Sequence, residues 1–273
     1  MIILSRFLHN NQGLRKLAAY SYDAIDNGFY DADEYHYENH SVLSLRTAIK
    51  ECKHIPIISE IKYSSPSRGK IIEPKKFNLK HLALDLVNSG AIALSVLTQH
   101  YLFDGAIQNL ASIRKSIDAP LLMKDIVVSE IQIDAARKIG ADCILLITSI
   151  FDSGLAEGSI DKFIKYAENK GLQVIIEVHT EDEFKETLEH YSPRILGINN
   201  RNLNDLQVDL NVTKNLLQNY EKGKNLIISE SGISKPEQIK GLLGYNVDAF
   251  LIGTGIMETD VPSKKLRELC LIQ

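Results

Sequence analysis

From residue 55 onward the chain alternates eight times between a short apolar run and an amphipathic stretch of helical length. No other feature constrains the fold as strongly. An unbroken apolar run followed at once by a helix signal reads as a parallel strand buried on both faces. The runs cover residues 57–62, 93–97, 121–124, 143–147, 173–178, 195–199, 226–230 and 249–252. Capping boxes announce several helices: Ser129 with Gln132, Thr180 with Glu183, and Ser234 with Glu237. Gly140 and Gly171 stand where left-handed C-terminal caps belong, between a helix and the next strand. Gly140-Ala141-Asp142 and Ser89-Gly90-Ala91 mark the same kind of turn, so the βα unit repeats. Eight such units in about 210 residues match an α/β fold of the (β/α)8 TIM-barrel type. A doubly wound sheet is disfavoured, because the first strand is followed by Tyr63-Ser64-Ser65-Pro66-Ser67 and not by a glycine-rich dinucleotide turn.

Residues 1–54 are expected to form an N-terminal helical extension of the same domain, and residues 55–273 the barrel. Within the extension Leu14, Leu17, Ala18 and Ser21 have helical spacing, residues 30–40 have no period, and a second helix is expected over 41–52 with Leu43, Leu45, Ala48, Ile49 and Cys52 on its apolar face. His36, His40 and His54 lack ligand spacing and read as solvated loop histidines, so no metal site is expected. Cys52, Cys143 and Cys270 are odd in number and far apart, which argues against a disulfide framework and fits a reducing compartment. No apolar run approaches the roughly 20 residues of a membrane span, and Arg6, His9 and Asn10 interrupt the short apolar start at residues 1–4 before a signal-peptide core forms. The cytoplasm is therefore the expected location, without membrane partners. A net charge of −4 provides no global field for nucleic acid, so an anionic ligand must be held by a few local groups.

In a barrel the chemistry lies where the strands end. There the sequence places Glu60 and Lys62, Lys124-Asp125, Glu177 with His179, Asn199-Asn200-Arg201, and Glu230-Ser231-Gly232. Glu60 and Lys62, two residues apart, share a strand face. One charged residue at a strand end is usually a solvated rim residue, and a Glu–Lys pair can be merely structural. Five of eight strands converging polar groups on one end point instead to a site. A lysine closing the apolar run Leu121-Leu122-Met123 is costly in a core and sensible in such a site, so Lys124 reads as a general acid. Such a lysine can serve near neutral pH if burial or a second cation lowers its pKa, and Lys62 is a candidate for the second cation. The turns Ser231-Gly232-Ile233 and Gly253-Thr254-Gly255 follow the seventh and eighth runs, where barrels commonly hold phosphate on backbone N–H groups. Ser65 and Lys62 stand ready to add a hydroxyl and a charge to the same anion.

Seven segments in order carry a resemblance: Ser59-Glu60-Ile61-Lys62 with Ser65-Pro66-Ser67; Leu94-Ser95-Val96-Leu97-Thr98 with Phe103-Asp104-Gly105; Met123-Lys124-Asp125; Ile176-Glu177-Val178-His179; Gly197-Ile198-Asn199-Asn200-Arg201-Asn202-Leu203; Ser229-Glu230-Ser231-Gly232-Ile233; and Leu251-Ile252-Gly253. Over roughly residues 55–258 the chain resembles the indole-3-glycerol phosphate synthase family of tryptophan biosynthesis. The resemblance implies a small anionic phosphosugar substrate, 1-(2-carboxyphenylamino)-1-deoxyribulose 5-phosphate. It is converted to indole-3-glycerol phosphate, carbon dioxide and water without metal or organic cofactor. Transient contact with other enzymes of that pathway is a further expectation.

By the same resemblance Lys124 protonates the substrate ketone as the ring closes, and Glu177 is the base. Glu60 orients Lys124 or assists dehydration, Asn199 holds substrate hydroxyls or the carboxylate region, and Lys62 binds the substrate carboxylate. Either lysine could be the acid of the dehydration. Arg201 and Glu230 match family positions; Arg201 reads equally well as a loop brace pairing with a carboxylate. Ser231, Gly232, Gly253 and Thr254 fall at the substrate and phosphate positions. Two departures stand out: Ile126 follows the Lys-Asp pair where the family commonly has Phe, and Thr254 stands where Ser or Glu is common. The rival readings are phosphoribosylanthranilate isomerase, which uses a Cys–Asp pair, and a non-catalytic barrel. Cys143 opens its strand, the wrong end for the first, and four convergent charges have no use in the second.

Overall fold

The computed structural model describes residues 13–271 except 38, 66–68, 72–77, 192 and 204. Its strands are β1 (Ile57–Ile61), a short antiparallel pair β2 (Ser64–Ser65) and β3 (Gly69–Lys70), then β4 (Ala91–Leu97), β5 (Leu121–Lys124), β6 (Cys143–Ile147), β7 (Gln173–Val178), β8 (Ile195–Asn199), β9 (Leu226–Glu230) and β10 (Ala249–Ile252). All but β2 and β3 are parallel and close into one barrel, in the order β1-β10-β9-β8-β7-β6-β5-β4. This is the (β/α)8 architecture expected from the eightfold alternation. The strands are buried along most of their length because each meets barrel interior on one face and helices on the other. Phe163 and Phe184 on the outer helices and Phe250 on β10 are among the largest fully buried side chains, each contributing roughly 2–3 kcal/mol by removal from water. No helix among the described residues is long and apolar enough to cross a membrane.

Six strand ranges coincide with the sequence reading; the other two shift at their ends. Lys62 lies just beyond β1, and β4 begins two residues early because Ala91 pairs with Ile57. The boxes at Ser129 and Thr180 form as expected. The one at Ser234 does not: Pro236 starts that helix, and Gln238, not Glu237, reaches back, its Oε1 accepting from the backbone N–H of Ser234 at 2.8 Å and of Lys235 at 2.9 Å. Gly140 and Gly171 take the left-handed conformation of a C-cap, with φ of 83° and 80°.

The extension contributes a helix at Leu14–Asp26 and a shorter one at Leu45–Glu51. The second starts later than the expected residue 41. Ser44 caps it through Thr47, while the segment before it is drawn onto the barrel floor by Asp142, which accepts from Leu43 N–H at 2.7 Å. Asp142, buried at the foot of β6, also takes Leu121 N–H at 2.7 Å, Arg114 Nη1 at 2.7 Å and His40 Nε2 at 3.0 Å. Asp248 repeats the device at the foot of β10, where it accepts from Ile227 N–H and Lys222 Nζ, both at 2.6 Å. The expectation of solvated histidines is thus corrected for two of the three. His40 is a partly buried tie to Asp142, and His54 Nδ1 lies 3.0 Å from the Ile55 carbonyl and 3.3 Å from Cys52 Sγ. No group of three or more His, Cys, Asp or Glu side chains among the described residues is arranged to hold a metal ion.

Candidate active site

A cavity of about 420 Å³ opens at the C-terminal ends of the barrel strands. Glu60, Lys62, Lys124, Glu177, Asn199, Arg201, Glu230, Ser231, Gly232, Gly253 and Thr254 all line it. Ser65 falls in β2, and its side chain lies outside the described part of the structure.

The in-register parallel sheet explains the convergence. Lys124 is level with Leu97, Glu177 with Ile147, and Glu230 with Asn199, so residues at or next to the end of each apolar run meet around the rim. Lys124 Nζ donates to Glu177 Oε2 at 2.7 Å and lies 3.2 Å from Glu230 Oε2. Asn199 Nδ2 donates to Glu177 Oε1 at 3.0 Å. Lys62 Nζ pairs with Glu60 Oε1 at 2.9 Å. Two glycines make room for this cluster. A Cβ on Gly197 would collide with Glu230 Oε1, and one on Gly253 with Glu60 Oε1.

The electrostatics correct one expectation. Burial alone would push the Lys124 pKa down, but Glu177, Glu230 and Glu60 outweigh it and raise it well above the ordinary lysine value. Lys62 does not supply the expected second cation against Lys124, because Glu60 neutralises it. Burial pushes the Glu177 carboxyl up, and Lys124, His179 and Asn199 more than reverse this, holding it below the ordinary range. Burial wins at Glu230, whose pKa is raised with help from Glu177 and Glu60 against the pull of Lys124. Among the described residues Glu230 Oε1 has no hydrogen-bond partner, so only one of its oxygens is compensated.

Arg201 braces its loop by a route the sequence did not indicate. Its Nη1 donates to the Leu206 carbonyl at 2.9 Å, and its backbone bridges to Val208. Across the cavity the two small-residue turns touch. A Cβ on Gly255 would meet the Ile233 carbonyl and Ser234 Cα, so glycine here permits backbone-to-backbone approach. Ser231 and Gly232 both have positive φ, 68° and 82°.

Sequence reasoning missed three parts of the site. The first is the apolar wall of Leu97, Phe103, Ile126, Ile147, Leu203 and Leu251, assembled from separate strand ends and the segments that follow them. Ile126 belongs to this wall and is buried. The second is the anchorage of Asp125, which accepts from Tyr30 Oη at 2.8 and 2.9 Å, from Ile126 N–H at 2.8 Å, from Gln132 Nε2 at 3.3 Å and from Thr98 Oγ1. Nothing in the aperiodic sequence around Tyr30 signals that contact. The third is the contact made by His179, which the sequence places at the same strand end as Glu177 but gives no role: its ring lies 3.4 Å from Glu177 Oε1.

Fold and site together define a (β/α)8-barrel enzyme with a charged acid–base cavity at the strand ends. The family model described as indole-3-glycerol phosphate synthase matches residues 25–269. Curated relatives bearing that name include one from Aquifex aeolicus, 42% identical over 214 residues (78% of this chain, 80% of the relative), and one from Methanocaldococcus jannaschii, 40% identical over 253 residues (91% and 92%). The chain belongs to the indole-3-glycerol phosphate synthase family, decarboxylating lyases of tryptophan biosynthesis.

Similar solved structures share the fold alone. Thiamine phosphate pyrophosphorylase from Pyrococcus furiosus aligns with a TM-score of 0.57 at 15% identity, covering 83% of this chain and 96% of that one. Phosphoribosylanthranilate isomerase from Thermotoga maritima aligns at 0.53 and 13%, covering 79% and 96%. The Cys–Asp pair expected for the latter reaction has no counterpart in this cavity, since Cys143 is buried at the opposite end of its strand.

Proposed function

We propose that the cavity binds 1-(2-carboxyphenylamino)-1-deoxyribulose 5-phosphate and converts it to indole-3-glycerol phosphate, carbon dioxide and water. The observation that carries this reading is the Lys124 ammonium held between Glu177 and Glu230, 2.7 and 3.2 Å away, on the wall of an otherwise partly apolar cavity. Ring closure needs a proton on the ketone oxygen as the aromatic carbon attacks, and Lys124 carries one under all ordinary conditions because of its raised pKa. The same carboxylates make it slow to give that proton up. What draws the proton off is the alkoxide that develops on the ketone oxygen as the carbon–carbon bond forms, a far stronger base than the carboxylates beside the ammonium.

In this scheme Glu177 is the base of the dehydration, oriented by Asn199. The Lys62–Glu60 pair serves as a second acid–carboxylate unit, with Lys62 turned to the substrate carboxylate. Glu230 stabilises Lys124 from its other side, and Arg201 shapes the loop over the site. Ser231, Gly232, Gly253 and Thr254, with Ser65, hold the phosphate; the close-packed turns support this role. The apolar wall receives the anthranilate ring, with Ile126 offering a branched contact in place of a flat one.

The unpaired cysteines support a cytoplasmic location. Residues 1–54 and the barrel form one domain in this reading, supported by the extension's shared core with the barrel. Transient contact with neighbouring pathway enzymes is supported by family membership alone.

The test is to incubate the purified protein with the anthranilate–ribulose phosphate and follow indole fluorescence. Product is expected from the wild type, and Lys124→Ala should lose at least about a hundredfold in turnover while keeping its circular-dichroism spectrum. A folded wild type that forms no product would sink the reading.

A further inference from the structure

His179 is a buried titratable group that the reaction scheme leaves without a task. It follows β7 directly, two residues past Glu177 and on the same side of the chain. Its side chain is only 10% exposed. Among the described residues neither ring nitrogen makes a hydrogen bond, yet each faces a carboxylate: Nε2 is 3.4 Å from Glu177 Oε1, and Nδ1 is 3.6 Å from Glu183 Oε2.

Glu183 is itself fixed, its Oε2 accepting from the backbone N–H of His179 at 2.6 Å and of Thr180 at 3.3 Å. A line of alternating charge therefore runs from the cavity outward: Lys124 of β5, Glu177 of β7, His179, then Glu183 of the helix Glu181–His190. Asn199 of β8 shares Glu177 Oε1 with the imidazole, and Asp152 of the helix Thr148–Asp152 feels the charge of Glu183 beyond it. A histidine so placed has two states with opposite effects on Glu177. As imidazolium it adds a cation to a carboxylate already held by Lys124. As neutral imidazole it leaves Lys124 as the main charged neighbour.

We propose that His179 is a positioning residue that sets the basicity of Glu177, keeping it a weak base while the imidazole is charged and freeing it to accept the substrate proton once the imidazole is neutral. The proposal rests on Glu177 being the base. Burial pushes the His179 pKa down and Lys124 opposes its charge, but the contact with Glu183 and the charges of Glu183 and Glu177 win, so it lies above the ordinary imidazole value. The sign follows: chemistry is slower below that titration and faster above it. A one-unit change in Glu177 basicity alters proton affinity tenfold, and partial transfer in the transition state passes on part of it, giving about a threefold to tenfold rise in rate.

The experiment measures the single-turnover rate from pH 6 to 9.5 in the wild type, His179→Gln and Glu177→Gln, with the His179 ring titrated by NMR in the wild type. The expected result is a wild-type limb coincident with the NMR titration, absent in His179→Gln, whose rate stays near the alkaline plateau with KM little changed. A limb that survives in His179→Gln overturns the proposal. So does an NMR titration with no matching change in rate, a comparison that stands even if the variant fails to fold. Undiminished turnover in Glu177→Gln would instead remove the base assignment, a separate outcome.

Discussion

Gly197 sits inside β8 and Gly253 just past β10, yet neither needs a left-handed backbone; what each supplies is an absent side chain. The space over Gly197 is filled by the Glu230 carboxylate and that over Gly253 by the Glu60 carboxylate. An added methyl meets charged groups already fixed by Lys124 and Lys62, so the carboxylates must move. We therefore expect Gly197→Ala and Gly253→Ala each to lower kcat about tenfold or more, since displacements near an ångström at a reacting centre are that damaging. Gly241 provides the contrast. It lies within the helix Pro236–Leu243 with nothing within 4 Å of an added Cβ. Gly241→Ala should raise stability by about 0.5–1 kcal/mol through helix propensity and leave kcat unchanged. Steady-state kinetics and urea midpoints on the three variants check the set; equal behaviour of all three would contradict the steric account.

At the scale of elements, a tyrosine hydroxyl ties the extension to the site. Tyr30 lies between the helices Leu14–Asp26 and Leu45–Glu51, and its Oη donates to both oxygens of Asp125, the residue directly after Lys124. Asp125 is nearly fully buried, so removing a donor leaves a carboxylate less well compensated. Tyr30→Phe should cost about 2 kcal/mol, because the bond goes to a charged group, whereas Tyr22→Phe, whose hydroxyl donates to the Leu155 carbonyl at 3.0 Å, should cost about 1 kcal/mol. Denaturant midpoints compare the two, and the reverse order would refute the assignment. The same contact marks where sequence reading stopped. Strands were legible because a parallel strand buried on both faces leaves an unbroken apolar run, and strand-end charges were legible because register brings run ends together. The Tyr30–Asp125 bond joins residues 95 apart through a segment without period, and neither residue type announces a partner. Similarly, the helix start at Ser44 depended on Asp142 capturing Leu43 from across the floor, a tertiary event. The sign of the Lys124 shift is not legible because the sequence puts Glu177 and Glu230 at other strand ends without showing that both close on the ammonium, at 2.7 and 3.2 Å.

The whole molecule concentrates buried acidic groups near one end of its barrel, and that distribution sets its stability against pH. Burial raises the Asp125 carboxyl, and its hydrogen bonds from Thr98, Tyr30, Ile126 N–H and Gln132 lower it, leaving it at about 6. A carboxyl whose folded-state pKa exceeds its unfolded value holds its proton more tightly in the folded chain. Its contribution is therefore fully present below the unfolded value, about 3.9, and is lost as pH rises toward about 6. Glu230, raised by burial, acts in the same direction. So does His179, a base with a raised pKa, whose contribution vanishes as it deprotonates. Glu177 opposes them, because its lowered pKa confers stability above the ordinary glutamate value that is lost as pH falls through the acid range. The net charge of −4 at neutrality adds self-repulsion that eases on mild acidification. Stability should thus peak on the mildly acidic side. The two-unit shift at Asp125 alone is worth on the order of 2 kcal/mol, or about 4 °C in Tm for a chain of this size. Calorimetry should find a higher Tm near pH 5 than at pH 8. Glu230→Gln, which removes a buried anion with one uncompensated oxygen, should raise Tm at pH 8 and flatten the slope. A wild-type Tm that climbs from pH 5 to pH 8 would show that the lowered carboxyls, led by Glu177, govern the folded state instead.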